Sequence, residues 1–361
     1  MKRLLHSTVK TTLQLALTSM PRAACNRFVP RKVFGLCYHL VSDQVPTHVT
    51  HVCPFKNTAA FHADMTWLKD HFEILDYEEA CRRKVGSASS RRPAVVVTFD
   101  DGYRECITTV APILQELAIP AVFFITTRFI DNHELFYRNK ASLCIDALET
   151  LEHGTQANVL QQMTQLAGSA TFDPHCARTW LLGLGSRDQD LLDATCQILA
   201  VDTAKFLETE QPYMTSDEIR SLNDSGFTIG AHGTDHTHLA SLCPDQIESE
   251  LAGSCGTIAE LTDTSVVPFA FPFSGHRVDR AAVHQARTRH PHIGLLFDSR
   301  GILPDEPTVI HRISADHPPD SSQTQSTNLP MLVQEAYAHE LRQQWIAPLK
   351  SLLKNQQTPS G

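Results

Sequence analysis

Three observations predict a parallel α/β architecture for this 361-residue chain. Short apolar runs alternate with helical patterns along most of its length. One run, Ala94-Val95-Val96-Val97-Thr98-Phe99, is continuous and largely β-branched, as in a strand buried on both faces. The predicted strands also end in polar residues suited to ligation, and in parallel α/β folds the strand C-termini form the active face.

The elements follow in order. Val33 to His39 reads as the first strand, and Phe61, Met65, Leu68 and Phe72 mark one face of a helix. After the Ala94–Phe99 strand, Ile107, Val110, Leu114 and Leu117 define the next helix, which Pro120 ends. Ala121 to Ile125 is another strand. Residues from about 133 to 210 carry helical spacing and read as an insertion with no polar constellation of its own. Thr215 and Glu218 form a capping-box pattern, and Gly226 stops that helix. Phe227 to Ala231 is a strand, and Pro244 opens a helix whose inner face is Ile247, Leu251, Ile258 and Leu261. Val266 to Phe271 and Ile293 to Phe297 complete the predicted strands.

The ends of the chain read differently. Leu5, Val9, Leu13, Leu17 and Met20 fall at helical spacing within an amphipathic segment over 1–30. Polar residues interrupt any secretory apolar core there. A helix packed on the body is the expectation, and peripheral membrane association through residues 1–20 is the alternative. Residues 317–361 read as a linker, a helix around Leu332 to Leu353 and a tail. The composition from Asp316 to Pro330, rich in Pro, Ser, Gln and Thr, marks the linker.

A net charge of −9 argues against nucleic-acid binding, which needs basic patches. The ten cysteines are scattered with no CxxC, and several lie in apolar helical patterns. Free thiols in a reducing, cytoplasmic compartment are expected.

The chemistry collects at strand ends: Tyr38-His39, Asp100-Asp101, Thr126-Thr127, His232 and Asp298. Asp100 and Asp101 are adjacent carboxylates that repel unless a positive group lies nearby. In isolation such a pair reads as an N-cap acid with a solvated neighbour. His232 and His236 are four residues apart, which lets both imidazoles reach one metal ion from a turn or tight loop. Among the 19 histidines such a pair arises readily without a metal. Two imidazoles and one carboxylate together make a three-ligand site with open positions, the arrangement of a hydrolytic metal.

At these residues the sequence resembles the polysaccharide deacetylase family, also called the NodB-homology or carbohydrate esterase family 4 group. Thr98-Phe99-Asp100-Asp101-Gly102 matches its first motif, and His232 and His236 match the spacing of its second. The resemblance extends over about 33–316, broken by the insertion, and the segments around the motifs resemble members from exopolysaccharide gene clusters. It implies a distorted (β/α)7-type barrel with a helical insertion. It implies a divalent metal, usually zinc, on Asp101, His232 and His236, with Asp100 as general base and an N-acetylated glycan as substrate. Arg312 sits where relatives often carry an arginine, and would orient Asp100. The late Leu-x-His motif that supplies a catalytic acid is not recognisable, which leaves His39 and His311 as candidates. Gly233 replaces the usual Ser or Thr, and the third motif reads Phe269 to Gly275 with no evident arginine. Two other readings remain: hydrolysis of a small cyclic amide on the same fold, and an inactive sugar-binding relative.

Overall fold

The computed structural model describes residues 33–86, 92–168, 171–303, 306–317 and 328–341. The amphipathic segment over 1–30 and most of the predicted linker and tail lie outside the described residues. The C-terminal helix is seen over 329–341.

Among the described residues there are eight strands, all in parallel register: β1 (Val33–Tyr38), β2 (Glu73–Ile74), β3 (Ala94–Phe99), β4 (Ala121–Ile125), β5 (Thr228–Ala231), β6 (Val267–Ala270), β7 (Ile293–Asp298) and β8 (Val309–Ser314). β1 pairs with both β3 and β8, so seven strands close into a barrel and the two-residue β2 hangs on the lower end of β3. This is the distorted (β/α) barrel that the sequence predicts.

Four elements differ from the sequence reading. β8 is a strand that the apolar pattern does not reveal, because His311 and Arg312 interrupt it. Both are nonetheless buried. The short β2 and the helices α2 (Tyr77–Val85) and α11 (Arg280–Arg289) are also additional. The helices α1 (Thr58–His71), α3 (Ala111–Glu116), α9 (Ser216–Asp224) and α10 (Pro244–Thr262) stand at the predicted places. The capping box of Thr215 and Glu218 is formed on α9.

Alternation along each strand divides the core. Val96, Val122, Phe124, Leu295, Phe297 and Ile310 form one cluster, and their strand neighbours Val95, Val97 and Phe123 belong to the larger cluster shared with the helices. Gly35 leaves space for a long side chain in the first cluster: a Cβ there would lie 2.7 Å from Arg312 Cγ. The insertion comprises α4 (Tyr137–Thr150), α5 (His153–Ala167), α6 (Pro174–Gly183), α7 (Gln189–Ile198) and α8 (Thr203–Glu210). It has its own apolar core of residues such as Leu143, Ile145, Leu160, Met163 and Leu192, joined to Tyr103 and Tyr213.

His48 is buried against that core, with its ring 5.7 Å from Tyr103 and 5.6 Å from Phe206. Burial lowers its pKa to about 4. An unfolded histidine takes up a proton near pH 6.5 and the folded one does not until about pH 4. His48 therefore contributes stability that is full above pH 6.5 and lost as pH falls toward 4. The loss is up to about 3 kcal/mol. Urea unfolding at pH 7 and pH 4.5 should show a smaller drop for His48→Gln than for the wild type, and equal drops would contradict this.

The described cysteines are all free thiols, with Cys144 and Cys196 in contact inside the insertion. Among the described residues, no helix is long and apolar enough to cross a membrane.

Candidate active site

The C-terminal ends of the strands surround one open cleft of about 300 Å³. β3 delivers Asp100 and Asp101 to it. The chain turns sharply there, with Asp101 at φ 74° and Gly102 at φ 84°. A left-handed aspartate is strained by roughly 1–3 kcal/mol and persists where the surroundings fix it. Neither acid caps a helix. The helical turn that follows begins at Cys106 and has no side-chain cap.

Asp100 is gripped by Arg312, which rises from β8 inside the barrel. Arg312 Nη1 and Nη2 donate to the two carboxylate oxygens at 2.6 and 2.7 Å, and Nη1 also donates to Thr98 Oγ1 at 3.0 Å. The Cys37 thiol donates to Asp100 Oδ2 at 3.3 Å. The guanidinium lies over the Phe124 ring at 5.3 Å and is fully buried. Burial alone would raise the Asp100 pKa, but Arg312 and His232 overcome it and bring it down to about 2. Asp100 is therefore a fixed, ionised carboxylate at any neutral pH.

Asp101, His232 and His236 converge beside it, with one donor atom of each within 4.8 Å of the others. Asp101 Oδ1 lies 3.1 Å from His236 Nε2 and 3.5 Å from His232 Nε2. No hydrogen bond with satisfactory geometry reaches that oxygen, although it is buried. His232 donates from Nδ1 to the Ala270 carbonyl at 2.9 Å, which leaves Nε2 as the lone-pair nitrogen facing Asp101. Burial lowers the His232 pKa to about 4, so its ring is neutral. A buried carboxylate oxygen without a hydrogen bond of good geometry, facing two converging imidazoles, fits a divalent cation held by three protein ligands. His236 is held at φ 53° and its ring meets Phe136 and Phe273 at 4.6 Å each.

The loop carrying these histidines is braced without the usual Ser or Thr. Gly233 adopts φ 78°, and Glu250 on α10 accepts from Thr234 N at 2.8 Å. The carbonyls of Gly233 and Thr234 accept from Thr127 N and Arg128 N after β4, at 3.1 Å each.

His39, after β1, faces the same cleft and is half-buried. Its backbone N–H donates to Asp316 Oδ1 at 2.9 Å, and its Nδ1 lies 2.7 Å from Asp316 Oδ2. Burial lowers the imidazole pKa, but Cys53 and Asp316 more than reverse this and leave it well above the ordinary value. His311 is elsewhere: next to Arg312 on β8, it takes the opposite face and lies 3.5 Å from Glu306. It does not line the cleft. Asp298 is buried behind the wall, where it accepts from Gly275 N, Arg280 and Arg300.

Asp316 escapes the sequence reading, which places it at the start of a linker. It is almost wholly buried instead. Phe136 and Arg138, from the start of the insertion, also line the cleft, so the insertion supplies part of the wall. Phe273 is partly exposed at the rim with Arg138 over its ring at 5.8 Å, whereas Tyr103 is buried at the floor.

A closed parallel barrel gathers these carboxylates and imidazoles at its strand C-termini, where enzymes of this architecture carry their active sites. The family model described as Polysaccharide deacetylase matches residues 87–174 and 185–289, more than half of the chain. The chain belongs to the polysaccharide deacetylase family. Among solved structures, it is similar to the Streptococcus pyogenes deacetylase PplD in complex with acetate, at 16% identity and a TM-score of 0.51, over 79% of this chain and 93% of that one. It is also similar to IcaB from Ammonifex degensii, at 14% identity and a TM-score of 0.49, over 85% of this chain and 97% of that one. The first likeness supports the barrel fold. No curated protein sequence matches the chain.

Proposed function

We propose that the protein hydrolyses the N-acetyl group of an N-acetylated glycan, releasing acetate and leaving a free amine. One observation carries this reading: a carboxylate clamped by a buried arginine stands beside the converging ligand atoms of Asp101, His232 and His236 in an open cleft. A divalent ion held by that triad would polarise the acetyl carbonyl and make nearby water more acidic. Asp100 accepts the proton of the attacking water, and Arg312 keeps its carboxylate ionised and correctly turned. His39, protonated through its pairing with Asp316, donates a proton to the departing amine nitrogen. The Phe273 ring at the rim offers an apolar face to a sugar or to the acetyl methyl group.

The cleft is open, so neighbouring sugar units can lie along its walls. Remote contacts of this kind position the reacting amide and raise kcat/KM. Acetate release should therefore be more efficient on an N-acetylated oligosaccharide than on the monosaccharide. It should stop on chelation and return with added divalent ion. Equal efficiency on both lengths would point to a small-molecule substrate, and full activity after chelation would remove the metal from the account.

A further inference from the structure

Beside the Asp101 triad, and sharing no residue with it, lies a second convergence of ligand atoms. His39, Cys53 and Asp316 each present one donor atom within 4.8 Å of the other two. All three line the cleft. Cys53 closes the turn after β1, where its thiol donates to the Pro54 carbonyl at 3.3 Å. A thiol, an imidazole and a carboxylate form a donor set that favours a thiophilic borderline cation over magnesium or calcium. His39 also has Cys37 and Asp100 within reach. Asp100 is already committed to Arg312, and burial holds the Cys37 thiol protonated, so the Cys53 set is the one free to bind.

We infer that His39, Cys53 and Asp316 form a second, weaker site for a zinc-like divalent cation, and that filling it inhibits the enzyme by occupying His39. The inhibition rests on His39 being the proton donor proposed above, whereas the binding does not. The site is the weaker of the two because His39 and Asp316 must loosen their mutual contact and His39 and Cys53 must each lose a proton. Burial raises the Cys53 pKa although His39 opposes it, so ion uptake releases the thiol proton together with that of His39.

The test is titration of the full chain, already loaded with one equivalent of metal, with Zn2+ and separately with Co2+. A second ion should bind, and Co2+ should produce a thiolate-to-metal charge-transfer band. Cys53→Ser should abolish the band and weaken the second ion by at least about 10-fold, since even groups outside the ligand shell cost that much. The band should survive in a His232→Ala, His236→Ala double variant. Binding that ends at one ion, a band that persists in Cys53→Ser, or a band lost with the double variant would overturn the second site. Excess Zn2+ should inhibit acetate release, excess Mg2+ should not, and Cys53→Ser should need more Zn2+ for half-inhibition relative to its own basal rate. A second ion bound with no inhibition would leave the site in place and overturn only its effect on His39. A protein that releases no acetate at all still reports the second ion through its spectrum, so the two readings fail separately.

Discussion

Asp100→Asn is expected to lower turnover roughly 10²- to 10⁴-fold, the range for loss of a general base. The substitution removes the proton acceptor and leaves Asp101, His232 and His236 untouched. It also replaces one acceptor oxygen facing Arg312 by an amide that cannot accept, so stability should fall even though the fold persists. Turnover and metal content therefore have to be measured on the same preparation, below its unfolding transition. Metal retained with turnover lost is the expected outcome. Near-normal turnover would place the base elsewhere.

Arg312→Ala should have the largest effect on stability. The guanidinium is fully buried, and its removal strands the Asp100 carboxylate inside the barrel. Breaking a buried pair from one side costs about 3–5 kcal/mol. The space beside Gly35 adds a cavity to that cost. What remains folded should carry an Asp100 whose pKa has risen, because Arg312 is the chief charge holding it at about 2. The acid limb of the pH–rate profile should then move to higher pH, since the base is protonated sooner. Arg312→Lys keeps a cation but loses the bidentate grip, and should fall between the two. A variant with wild-type stability and an unmoved acid limb would show that Arg312 neither supports nor tunes Asp100.

Much of this architecture is legible in the residues. Strands β3, β4 and β7 are buried on both faces, so they read as unbroken apolar runs. Capping residues such as Thr215 and Glu218 act locally and can be recognised locally. β8 is different because its function overrides its pattern. Arg312 points into the barrel to reach Asp100, and a strand carrying His-Arg in its middle looks like a loop until that partner is known. Asp316 shows the same problem at longer range. Its partner His39 lies 277 positions away, and the polar stretch after it resembles a linker. Phe136 and Arg138 are hidden for another reason. The insertion's helical spacing reports its own core, and only the closed barrel brings its first turn over the cleft. The loss of Ser or Thr at Gly233 likewise looks damaging in the sequence, yet Glu250 braces the loop from α10.

The central claim is that one divalent ion on Asp101, His232 and His236 acts together with Asp100 to cleave an acetamide. The most direct measurement follows acetate and free amine together as the purified, metal-loaded protein acts on an N-acetylated oligosaccharide, with metal content determined on the same sample. The account predicts equimolar acetate and amine, about one tightly held ion per chain once loosely bound metal has been removed, and loss of both that tight ion and the products in the His232→Ala, His236→Ala double variant. A folded protein carrying that ion but releasing no acetate, or a double variant that keeps both the ion and the activity, would contradict it.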